Sequence, residues 1–188
     1  MDLAALEPDK EWLRMKVIGI LGPAGSGKDT FGQMLHEELI KLGFHGVITH
    51  YADLLKYILK QYYNWNGEKD EAGRTLLQTV GTDIVRKKDP NFWVDFQIKM
   101  ANFFGEQWDY MIIPDVRFYN EMFKWIESDY DCVFIGIQRD FESSLTEAQA
   151  SHISETELND CIPDIIVHNI TLEDLKETAE ILAVNLGV

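Results

Sequence analysis

The chain has 188 residues, of which 46% are hydrophobic and 26% charged, with a formal net charge of −15. That length carries one α/β-sized domain with a sizeable core, and little more. The acidic excess argues against nucleic-acid polymers and anionic membranes as partners, since both select basic surfaces. No apolar run approaches membrane-spanning length. The start, MDLAALEPDKEW, is acidic and lacks the basic, then apolar, pattern of a signal peptide. Residues 1–14 are expected to form a short leader, and the protein is expected to be cytoplasmic. Cys132 and Cys161 match no metal spacing and read as free thiols of a reducing compartment.

The first predicted strand, 17–21, ends in a glycine-rich turn, and a helical pattern follows at 30–42. The turn holds Gly22, Ala24, Gly25, Ser26, Gly27 and Lys28. Glycines let backbone N–H groups converge on phosphate oxygens, the helix N-terminus adds partial positive charge, and Lys28 adds a full one. Gly22, Gly27 and Lys28 match the Walker A spacing. Asp29 stands where that pattern wants Ser or Thr, and Thr30 follows. A carboxylate beside phosphates is repulsive unless a cation intervenes. Asp29 therefore either contacts Mg2+ or points away as an acid at the helix start.

A second strand is expected at 47–51 and a helix at 53–63, on which Lys56 is a phosphate contact or an exposed lysine. Nearly sixty residues separate that strand from the next, at 110–114. This exceeds a simple crossover, so 53–105 reads as an inserted helical subdomain on the ligand side. Its further helices are expected at 74–87 and 91–104. In the first, Arg74, Gln78, Thr82 and Arg86 recur every fourth residue, giving a polar face that meets either ligand or solvent. Gly81 permits close approach. Of the aromatics that follow, Trp93 is the one candidate for contact with a base; the rest read as packing.

Strand 110–114 runs into Asp115-Val116-Arg117. An acid at a strand end beside the phosphate strand can hold Mg2+, and an arginine can fork onto a phosphate. Alternatively Asp115 caps the following helix, 120–127, and Arg117 pairs with Glu121 at i+4. Strand 132–137 delivers Arg139 to the ligand edge, where it can neutralise a transferring phosphoryl group. The polar segment 141–150, flanked by Arg139 and His152, is a candidate mobile element. His152 and Glu155 each read singly as a surface histidine and a capping glutamate. A last strand at 164–167 and helix at 172–186 complete an α/β pattern of parallel strands covered on both faces, with ligands at the strands' carboxyl ends.

With these pieces in place the chain resembles the deoxynucleoside monophosphate kinases encoded by bacteriophages, within the P-loop kinase group. The matching stretches are GPAGSGKDT at 22–30, YADLLK at 51–56, LLQTVGTDIVR at 76–86, DPNFWV at 89–94, IIPDVRFYNE at 112–121, IQRD at 137–140, SHISE at 151–155 and DIIVHNITLEDL at 164–175. The resemblance implies a five-stranded parallel sheet in the order 2-3-1-4-5, ATP as donor, Mg2+ as cofactor and a deoxynucleoside 5′-monophosphate as acceptor. It implies donor contacts from residues 22–30 and Arg139, and metal contacts from Asp29, Thr30 and Asp115. Catalytic roles fall to Lys28, Asp115, Arg117 and Arg139. Acceptor contacts fall to Asp53, Lys56, Arg74, Gln78, Asp83, Arg86, Trp93, Asp115, Arg117, Glu121, His152 and Glu155, with 139–155 as a short lid. Small nucleotides are the expected partners, and a homodimer is left open. Rival acceptors are phosphomevalonate and dephospho-coenzyme A; the second is a hydroxyl and would want Asp115 as a base. From another class comes a nucleotide-binding switch or regulator that does no transfer; a guanine-reading one would want an Asn-Lys-x-Asp element, which the sequence lacks.

Overall fold

The computed structural model describes residues 15–139 and 145–186. The expected leader, 1–14, and residues 140–144 of the expected lid lie outside the described residues. Five parallel strands, β1 (Lys16–Leu21), β2 (Gly46–Ile48), β3 (Tyr110–Val116), β4 (Asp131–Gln138) and β5 (Ile165–His168), form one sheet. Their order is β2-β3-β1-β4-β5, as expected. The phosphate-loop strand β1 is thus central, flanked by the strand that carries Asp115 and the strand that leads into Arg139.

Alternation along the strands divides the core. Val17, Leu21, Met111, Ile113 and Phe134 face one layer, with Leu55, Val80, Val94 and Trp125. Ile18, Ile20, Ile112, Ile135 and Ile137 face the other, with Phe31, Leu35, Leu175 and Ala179. Successive side chains point to opposite faces of a strand, so continuous apolar runs mean burial on both sides. The second layer comes from α1 (Lys28–Lys41) and α8 (Leu172–Asn185). The first comes from α2 (Ala52–Tyr62), α3 (Glu71–Gln78), α4 (Phe92–Phe104) and α5 (Tyr119–Glu127). Short helices α6 (Glu147–Ala150) and α7 (Ile153–Thr156) lie between β4 and β5. Among the described residues no helix is long and apolar enough to cross a membrane.

Two elements differ from expectation. The strand expected at 47–51 ends at Ile48 because residues 50–52 turn into α2, with their amides taken by side chains rather than by a neighbouring strand. The helix expected at 74–87 starts earlier, at Glu71, capped by Asp70 accepting from the Gly73 amide. It then widens into a π-helical stretch, Thr79–Arg86. Such widened turns are rare and recur at functional sites.

Candidate functional site

The chain leaves β1 through backbone with positive φ at Gly22 (141°), Gly25 (84°) and Gly27 (101°). A Cβ at Gly22 would lie 2.6 Å from the Ile137 carbonyl oxygen, so both conformation and space demand glycine there. Helix α1 begins at Lys28, two residues before the expected start at 30. The Lys28 ammonium donates to the carbonyls of Gly22 (2.7 Å) and Pro23 (2.8 Å), closing the loop on itself. Burial, helped by the Arg117 charge, pulls its pKa down to about 8. An ammonium this poorly solvated gains strongly from an anion at the loop. Asn169, just past β5, donates its amide to the Ser26 carbonyl at 2.7 Å and braces the loop from beneath. Arg139 reaches the Gly25 carbonyl at 3.4 Å from the end of β4.

Pro114 has no N–H to give to the sheet, and the β1–β3 register shifts between Gly19 and Leu21 beside it. Beyond this irregularity Asp115 accepts the amides of Tyr51 (2.9 Å) and Ala52 (3.1 Å), one on each carboxylate oxygen. It therefore caps α2, distant in sequence, not the helix that follows it. His50 bridges two acids: its ring nitrogens lie 2.9 Å from Asp29 and 3.2 Å from Asp53, and Lys56 completes the chain at 2.9 Å from Asp53. Burial works against a charged His50, but hydrogen bonds to Asp29 and Asp53 outweigh it and raise its pKa to about 9. Burial likewise opposes the Asp53 carboxylate, which His50 and Lys56 nevertheless hold well below the usual range. Gln97, buried against Thr49, fixes this strand end by donating to the His50 carbonyl at 2.9 Å.

The loop opens into a cavity of roughly 310 Å3, within the range of small-ligand sites. Lys28, Asp29, His50, Lys56 and Asp115 line its loop side; Arg74, Gln78, Gly81, Arg86, Trp93, Arg117 and Glu155 line the rest. Arg117 donates to the Ser154 carbonyl at 2.9 Å and pairs with Glu155. Arg86 pairs with Glu121 and lies 4.0 Å over the Phe118 ring. Trp93 is 3% exposed and gives its indole N–H to the Gly81 carbonyl at 3.0 Å. It forms a wall rather than a projecting platform. Gln78 donates to the Gln149 carbonyl at 3.2 Å, and Gln149 reaches back to the Glu71 carbonyl at 3.1 Å, so α6 is latched onto α3.

The family model of the deoxynucleotide monophosphate kinases matches residues 48–179. The chain belongs to the deoxynucleotide monophosphate kinase family. It is a P-loop kinase of nucleotide-type substrates. A cytidine diphosphoramidate kinase of Campylobacter jejuni is 27% identical over 187 aligned residues, covering 92% of this chain and 96% of that one. Among solved structures, a sugar kinase of Janibacter has a TM-score of 0.56 at 12% identity, covering 93% of this chain and 96% of that one. The Mycobacterium tuberculosis APS kinase CysC, solved with AMPPNP and APS, has a TM-score of 0.54 at 11% identity. It covers 93% of this chain and 99% of that one. These two likenesses show the fold.

Within this kinase the expected site residues separate into two groups. Ala24, Gly25, Lys28, Asp29, Lys56, Arg74, Gln78, Arg86, Trp93, Asp115, Arg117 and Glu155 share the one cavity. Five of the expected acceptor or metal contacts lie away from its wall. Glu121 is fully buried beneath Arg86. Asp53 sits outside, behind His50 and Lys56. Asp83 faces a neighbouring depression. His152 caps α7 by accepting from the Ser154 amide, with Asp83 at 3.5 Å on its other nitrogen. Thr30 is exposed in the first turn of α1 and does not line the cavity. Gly22 and Ser26 build the loop from its inner side, and Ser26 is buried. Both cysteines are free, and burial raises the Cys132 thiol to about 12. His50, Lys69, Gln97 and Asn169 were not singled out by sequence reasoning. Asn169 directly follows β5 and His50 lies two residues past β2, and a place at a strand's carboxyl end was the available signal.

Proposed function

We propose that this kinase transfers the γ-phosphoryl group of ATP to a deoxynucleoside 5′-monophosphate, giving the diphosphate. The observation that carries this reading is one cavity joining the Lys28 loop to Arg74, Arg86 and Arg117, with each carboxylate on its wall already engaged. A monophosphate brings its own anionic oxygen as nucleophile, so the site needs alignment and charge neutralisation rather than a base. Asp115 spends both oxygens on amides, Glu155 is paired with Arg117, and both ring nitrogens of His50 are engaged by Asp29 and Asp53. None of the three is poised to take a proton from a hydroxyl. Lys28 and the loop amides are assigned to the donor phosphates, Arg139 to the donor side, and the arginine trio to the acceptor.

Among the described residues no cluster of three or more metal-binding side chains forms a protein-only cage. Mg2+ does not require one, since it is ordinarily held by one or two carboxylates together with substrate phosphates. Asp29 and Asp115, both on the cavity wall, fit that role. Bound there, Mg2+ would offset charge on the phosphates.

A second reading rests on the near full-length likeness to the Campylobacter enzyme: the acceptor is a nucleoside diphosphoramidate. The test is ADP release with ATP and Mg2+ over the common deoxynucleoside and nucleoside monophosphates, with cytidine diphosphoramidate alongside. Turnover is expected with one or more deoxynucleoside monophosphates. Turnover of cytidine diphosphoramidate alone would replace the first reading with the second.

A further inference from the structure

Glu121 is 0% exposed, yet it carries a carboxylate. A buried charge is costly unless paired and hydrogen-bonded, and a well-packed apolar residue would serve stability as well or better. What this carboxylate holds is therefore informative. One oxygen takes the Arg86 guanidinium. The other takes the backbone amides of Arg117 at 2.7 Å and Phe118 at 3.0 Å. The Phe118 ring in turn lies 4.0 Å under the Arg86 guanidinium carbon. Arg86 and Arg117 both line the cavity; Glu121 does not.

We propose that Glu121 is a positioning residue that fixes Arg86 and Arg117 as one preorganised anion clamp for the acceptor phosphate. The clamp's parts come from three elements that meet at this one carboxylate. Arg86 ends the π-helical stretch, Arg117 follows β3, and Glu121 belongs to the first turn of α5. A guanidinium has five N–H donors in a rigid fork. Glu121 occupies the inner side of Arg86's fork and the aromatic ring supports its face. Among the described residues its one further hydrogen bond is a long 3.5 Å approach to the Pro90 carbonyl, so donors remain for an oxyanion. On the second oxygen, Glu121 fixes the backbone from which the Arg117 side chain departs. The inference rests on the acceptor assignment above, but it concerns a residue that touches no substrate.

The experiment compares the full chain with Glu121→Gln, Glu121→Asp, Arg86→Gln and the Glu121→Gln/Arg86→Gln double variant. Michaelis constants are measured separately for ATP and for the best monophosphate acceptor, and inorganic phosphate binding is measured by calorimetry. Glu121→Gln is expected to raise the acceptor KM by about tenfold, the size of one charge-assisted hydrogen bond lost. The ATP KM should stay within about twofold. Glutamine keeps one oxygen for the Arg117 and Phe118 amides and loses only the pairing with Arg86, so the double variant should be no worse than Arg86→Gln alone. Should the glutamine and aspartate variants not fold, Glu121→Leu/Arg86→Met removes both charges together and keeps the volume apolar. That protein should be folded, with the same rise in acceptor KM. An unchanged acceptor KM in any folded variant, an equal rise in both constants, or additive effects in the double variant overturns the clamp. If the wild type turns over no monophosphate, the acceptor assignment has failed, and phosphate calorimetry decides the clamp alone. Binding weakened by Glu121→Gln supports it, and wild-type phosphate binding that is absent or unaffected overturns it.

Discussion

At the scale of single residues, the site is built from groups whose charges are held rather than free. Lys28 is the group on which transfer depends in the proposed reaction. Lys28→Ala is expected to cut kcat by two to three orders of magnitude, the usual size of a lost phosphate-stabilising charge. Near-normal turnover in a folded variant would overturn that assignment. His50 offers a pH test in magnesium-free protein. Its folded pKa is raised from 6.5 to about 9, so the folded state binds the proton more tightly than the unfolded one. The stabilisation is fully present below pH 6.5 and is lost as pH rises through about 9. Its carboxylate partners are half or more exposed, so solvent screening limits the gain to about 1 kcal/mol. Urea unfolding from pH 6 to 10 should show that decline in wild type and not in His50→Gln. Asp115 couples the two themes. Asp115→Asn leaves an amide facing two backbone N–H groups and should cost about 1 kcal/mol of stability as a lost helix cap.

At the scale of elements, the phosphate loop and the strands were legible from local pattern alone, because apolar runs bounded by glycine need no distant partner to be recognised. The polar face Arg74, Gln78, Thr82 and Arg86 was also legible, and all four line the cavity. Its π-helical backbone was not. That geometry is held by the Trp93 indole on the Gly81 carbonyl and by Glu121 on Arg86, contacts that join separate segments and leave no local trace. The same limit explains Asp115. A cap is expected to serve the helix that follows it, whereas the amides Asp115 accepts are those of Tyr51 and Ala52. The latch between α6 and α3 belongs to this scale as well. Gln149 is buried, and its amide reaches the Glu71 carbonyl and the Thr75 hydroxyl. Gln149→Ala should loosen α6 and the facing turn of α3 while the sheet stays closed. Hydrogen exchange should rise in residues 145–156 and 71–78 and remain unchanged in β1, β3 and β4; a uniform rise would mean that the latch carries global stability.

At the scale of the whole molecule, the charge distribution is segregated. The chain has 17 lysines and arginines against 32 acids. The cavity wall inverts that balance, with Lys28, Lys56, Lys69, Arg74, Arg86 and Arg117 against Asp29, Asp115 and Glu155. On the proposed function, a nucleotide approaches an acidic molecule and ends in a cationic pocket. The two fields differ in range. The repulsion from the net charge of −15 acts over a Debye length, about 30 Å at 10 mM salt and about 8 Å at 150 mM. The attraction of the pocket acts at contact distances, where low dielectric and excluded water weaken screening. Adding salt over this range should therefore lift the association rate of a fluorescent ATP analogue, the reverse of what a basic nucleotide-binding surface shows. Equilibrium affinity should change less than the association rate, because the dissociating complex feels the same outer field. Stopped-flow mixing at 10 mM and 150 mM salt measures both rates. An association rate that falls as salt is added would mean that the six cations of the pocket govern the long-range approach, and that the acidic exterior plays no part in which anions reach Lys28.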